Sequence, residues 1–148
     1  VLSTIGLISY KVLLQNSRDG KRQADLGLIQ SALEQYHADQ FAYPPAGENC
    51  SDNSIFFPPV QDRPCPIRYR KDQTTKTYLN PIPIDPLRAP YPQYLYKVSG
   101  TAYCIFAVLE NPPKDSIGAD KFQGSSLCML IRMLENDLDK YNFAVSPP

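Results

Sequence analysis

Histidine is almost missing from this chain: His37 is the only one in 148 residues. The four cysteines, Cys50, Cys65, Cys104 and Cys128, include no CxxC pair, so a structural zinc site would have to be assembled from scattered thiolates. Net charge is missing too. Fifteen basic residues cancel fifteen acidic ones, and nothing in that balance asks for nucleic acid or an anionic membrane surface. The only basic clusters, Lys21-Arg22 and Arg68-Tyr69-Arg70-Lys71, are short enough to read as solvated faces. No GxSxG, no Walker loop and no local cysteine–histidine motif occurs, and no acid–base or nucleophile set stands out, so an enzyme is not expected. No initiator methionine or small-residue cleavage site marks a cleavable signal peptide. The apolar run Val1–Leu14 is interrupted by Lys11 and falls short of the roughly 20 residues that span a bilayer.

Proline, by contrast, is abundant. Fifteen residues are about twice ordinary usage, and they lie beyond Tyr43, so the first forty residues obey different rules from the rest. At this length one domain with a modest core is expected. An even number of cysteines without metal spacing favours two disulfides in an oxidising compartment. Of the three possible connectivities, we favour Cys50–Cys65, closing a proline-rich loop, and Cys104–Cys128, tying a strand to the C-terminal part.

Leu26, Ile29, Ala32, Leu33 and Tyr36 recur at three- and four-residue spacing, an apolar stripe for packing a helix on a head. Asp25, Gln30, Glu34, Gln35 and Asp39 make up its polar face. Upstream, Asp19, Lys21, Arg22 and Asp25 stand where opposite charges meet on a helix. Read as continuous over about residues 2 to 39, this helix is about 55 Å long, and Pro44-Pro45 end it. That is too long for a small head, which predicts a protruding part, 1–25, and a globular part, 26–148. Residues 44–93 read as a long loop region held by its cysteine staple. Tyr94–Val98, a Ser99-Gly100-Thr101 turn and Ala102–Leu109 read as a hairpin whose second strand buries both faces. Leu127, Leu130, Ile131, Leu134 and Leu138 predict a short helix over about 126–138, and Tyr141–Val145 a last strand.

His37 reads as a rim residue of the helix rather than a catalytic base. Asp115 and Asp120, with Asp137 and Asp139, are weak candidates for calcium ligands, with charged loop residues as the plain alternative. The tyrosines Tyr91, Tyr94, Tyr96 and Tyr103 suit cross-strand packing, with an adhesive aromatic surface as the alternative. Asn49-Cys50-Ser51 matches the glycan acceptor pattern only formally.

The order of parts resembles the type IV pilin and pseudopilin superfamily. SRDGKRQADLGLIQSALEQYHADQFAYP is similar to the second half of the pilin helix, and LNPIPIDPL to the motif that leads into the first strand. YKVSGTAYCIFAVLEN resembles the central hairpin and YNFAV the final strand. Val1-Leu2-Ser3-Thr4-Ile5-Gly6 looks like the middle of the family's apolar helix, so the docking glutamate and cleaved leader have no counterpart here. The resemblance implies an α+β fold, a long N-terminal helix on a small antiparallel sheet, with a proline-rich disulfide-stapled loop. It implies a structural subunit of an extracellular filament, held at the inner membrane before assembly and handled by pilus or secretion machinery. Val1, Leu2, Ile5, Leu7, Ile8, Val12, Leu13 and Leu14 would then form the filament core. A type II secretion pseudopilin, some of which hold calcium in a C-terminal loop, and a secreted adhesion or binding module are the alternative readings. No other cofactor is expected.

Overall fold

The computed structural model describes residues 2–47, 55–56, 65–87, 90–112, 125–134, 138 and 140–147. Side chains are described within these from residue 9 onward, except at 55–56 and 132–134. The chain is α+β. One long helix, α1 (Leu2–Gln40), opens it. Its 39 residues correspond to about 58 Å. Ala, Leu, Gln, Glu, Lys and Arg sustain it. It ends at Phe41, whose backbone takes the left-handed conformation (φ 57°) usual for a terminating glycine. The Phe41 N–H still donates to the His37 carbonyl at 2.8 Å, closing the last turn.

Three small sheets follow. β1 (Ala46–Gly47) and β2 (Ile55–Phe56) form a parallel pair, a departure from an all-antiparallel head. β3 (Ile67–Lys71) and β4 (Thr74–Leu79) form an antiparallel hairpin inside the stretch expected to be loop. Its two-residue turn places Asp72 at φ 56°, a conformation that aspartate tolerates better than most residues. β5 (Leu95–Ser99), β6 (Ala102–Ala107) and β7 (Phe143–Val145) make a three-stranded antiparallel sheet in that order. Ser99 pairs with Ala102 across the turn, where Gly100 supplies φ 58°. The hairpin and the last strand therefore stand where the alternating pattern placed them.

α2 (Ser126–Leu134) lies within the expected 126–138; residues 135–137 fall outside the described residues, and Leu138 stands in a turn. The period-two geometry of β6 divides the core. Tyr103, Ile105 and Ala107 face α1, joining Leu26, Ile29, Ala32, Leu33 and Tyr36. Cys104 and Phe106 face the other way, toward Cys128, Leu138 and Tyr141. The central sheet is thus covered by α1 on one face and by the α2 region on the other. Tyr103 through Ala107 are all buried, as a strand with two covered faces requires.

Cys104 and Cys128 are joined, pinning α2 to the middle strand. Cys65 is also disulfide-bonded. Its expected partner Cys50 lies outside the described residues, as do Asn49-Cys50-Ser51 and the calcium candidates Asp115, Asp120, Asp137 and Asp139. Among the described residues no group of three or more His, Cys, Asp or Glu side chains is arranged to hold a metal ion.

Candidate functional site: the exposed stretch of α1 and its attachment

The apolar stripe of α1 is buried as a unit: Leu26, Ile29 and Leu33 have no exposure, and Ala32 and Tyr36 almost none. The stretch before it behaves in the opposite way. Tyr10 and Leu13 are 62% and 65% exposed, and Val12 and Leu14 about 40%. Leu2, Ile5, Leu7 and Ile8 continue the same helix; their side chains, like the whole of Val1, lie outside the described part. No helix among the described residues is long and apolar enough to cross a membrane.

Described bonds from α1 to the rest of the molecule start at Asn16, which accepts from the Asn111 amide at 2.9 Å. Arg18 forks onto Glu110 with both bonds at 2.6 Å. Asp19 accepts from the backbone N–H groups of Glu110 and Asn111, at 2.9 and 2.7 Å. Arg22, expected on a solvated face, is fully buried. Its guanidinium donates twice to Asp85 (2.7 and 3.0 Å), once to Asp19 (2.6 Å) and once to Glu110 (2.9 Å). It also lies 4.6 Å from the centre of the Tyr91 ring. Each feature has a cause. Burying an arginine is tolerable only when its donors are met, and three carboxylates meet them. The hydrogen bonds from Arg18 and Arg22 hold the Glu110 carboxyl down at about 2. Its carboxylate partners raise Arg22 even though burial acts the other way.

The polar face of α1 is also less solvated than its pattern suggested. Asp25 is buried, held by Lys21 one turn earlier (2.8 Å) and by the Tyr94 hydroxyl (2.8 Å). Glu34 accepts from Tyr103 at 2.8 Å and from Tyr43 at 3.2 Å. The four clustered tyrosines line the interior: Tyr94, Tyr96 and Tyr103 are buried, and Tyr91 is half-buried. Desolvation raises their hydroxyl pKa values, that of Tyr91 to about 12. His37 sits at the rim, stacked on Tyr43 at 4.5 Å.

Sequence reasoning missed the Arg22 cluster. The signal was present as Arg18, Asp19 and Arg22 on one helix face and Asp85 in the turn before β5. Their convergence depends on separations of 63 and 88 residues. No family model, curated protein or solved structure matches this chain.

Proposed function

We propose that the chain is a structural subunit of an extracellular helical filament, similar to a type IV pilin, which polymerises through the apolar start of α1 and turns its β head outward. The observation that carries this reading is the exposure of Tyr10, Val12, Leu13 and Leu14 on a helix whose described bonds to the head begin at Asn16. Burying the exposed parts of these four side chains is worth about 4 kcal/mol at about 2 kcal/mol for each fully buried side chain. One such contact does not offset an association cost of about 4–15 kcal/mol, whereas several copies sharing the same surface do. A surface that meets a different surface on the next copy generates an open helical array when its rotation does not close into a ring. Before assembly the apolar stretch would be solvated by lipid, and pilus or secretion machinery would extract it. The disulfide-bonded head would then form the filament's outer surface at the cell surface.

The test is Leu13→Asp in cells that produce the protein. The sheared surface fraction is labelled with antibody to the head and imaged by electron microscopy. Wild type should give labelled filaments, and Leu13→Asp none, with head folding unchanged by near-UV circular dichroism. Filaments of normal number and length in the variant would refute the proposal.

A further inference from the structure

Gly20 lies on the exposed side of α1, and a Cβ added there would meet no atom within 4 Å. Nothing within one molecule requires glycine at this place, yet glycine in a helix interior costs about 1 kcal/mol relative to alanine. It also leaves the backbone free to bend. The ionic cluster brackets this position: Arg18 and Asp19 come directly before it and Arg22 two residues after. On the head side the partners come from two separate loops, Asp85 ahead of β5 and Glu110-Asn111 behind β6. Forked guanidinium–carboxylate bonds fix orientation as well as distance. A buried ionic cluster is a poor source of stability, since apolar replacements are often neutral or better. It does specify direction.

We propose that Gly20 is a hinge in α1 and that the Arg22 cluster is the latch that holds it straight. The exposed apolar stretch is then aimed by ion pairs on both sides of the hinge, not by apolar packing. The inference rests on the geometry of a single molecule and stands or falls apart from the filament reading.

Consider a swing of about 20°, the smallest bend usually counted as a kink. It displaces residue 13, about 10 Å along the helix from Gly20, by about 4 Å. The experiment measures that displacement by double electron–electron resonance. Nitroxide-bearing unnatural amino acids are placed at positions 13 and 101 of the full chain, leaving the disulfides alone, and are diluted with unlabelled chain. Wild type and Gly20→Ala should give one narrow distance distribution. Arg18→Met combined with Glu110→Leu, which takes away the ion pair on the free side of Gly20 but keeps the site filled, should broaden it by about 4 Å. Adding Gly20→Ala to that pair should narrow it again. An unchanged width in the apolar pair overturns the latch, and a width that stays broad after Gly20→Ala overturns the hinge. Should the pair fail to fold, Glu110→Gln, which keeps Arg22 on Asp85, must still broaden the distribution, and no change there overturns the proposal.

Discussion

Replacing Arg22 with methionine removes the only fully buried cation in the described part of the molecule while filling most of its volume. The consequences differ for its three partners. Glu110 keeps the Arg18 fork, and Asp19 keeps two backbone N–H donors. Asp85, whose side chain has no exposure, keeps among the described residues the Leu87 N–H at 2.8 Å. One uncompensated buried carboxylate costs about 3–5 kcal/mol, a large share of the roughly 5–15 kcal/mol that holds an ordinary domain together. Denaturant unfolding at pH 7, followed by near-UV circular dichroism of the buried tyrosines, should therefore show Arg22→Met losing about 3–5 kcal/mol. Arg22→Met with Asp85→Leu should regain most of this, because the charge left unpaired is gone as well. A loss below about 1 kcal/mol for the single variant would mean that the cluster is wetter and weaker than its burial implies.

Three further outcomes follow from the same contacts. Glu110 is held near 2 in the folded state against an ordinary 4.5. Its contribution is therefore complete above the ordinary value and is lost as the pH falls toward 2. The denaturation midpoint should drop between pH 5 and pH 2.5, and Glu110→Gln should flatten that drop; an equally steep fall in the variant assigns it to other carboxylates. Leu33→Ala, in the fully buried stripe, should cost about 2–5 kcal/mol by the same unfolding assay, whereas a cost under 1 kcal/mol would place the stripe outside the true core. Removing the Cys104–Cys128 link, which spans 24 residues, by a double serine substitution should cost about 3.5 kcal/mol; a loss confined to α2 contacts, with β5–β6 exchange protection kept, shows the bond to be local.

What the sequence made legible was periodic. Leu26, Ile29, Ala32, Leu33 and Tyr36 repeat with the helix, and each is buried. Tyr103, Ile105 and Ala107 alternate with Cys104 and Phe106, and the two sets face opposite layers. Pattern failed where structure depends on partners distant in the chain. The β3–β4 hairpin was hidden because prolines on both sides made the region read as loop, although Ile67 and Tyr69 alternate with Arg68 and Arg70, and Thr74, Thr75 and Thr77 suit a strand. Arg22 and Asp25 read as solvated because a helix pattern records which face a charge occupies. It does not record whether a tyrosine or carboxylate from another loop will cover it. For the same reason the pattern did not show that described polar bonds join α1 to the rest of the molecule from Asn16 onward, ahead of the apolar stripe.

The most direct measurement places a photo-crosslinking amino acid at position 13 in cells and identifies its partners by mass spectrometry of surface material. Crosslinks joining residue 13 to α1 of other copies are the expected result. Crosslinks confined to the head of its own chain, in material that has assembled, would contradict the claim that this stretch is shared between copies.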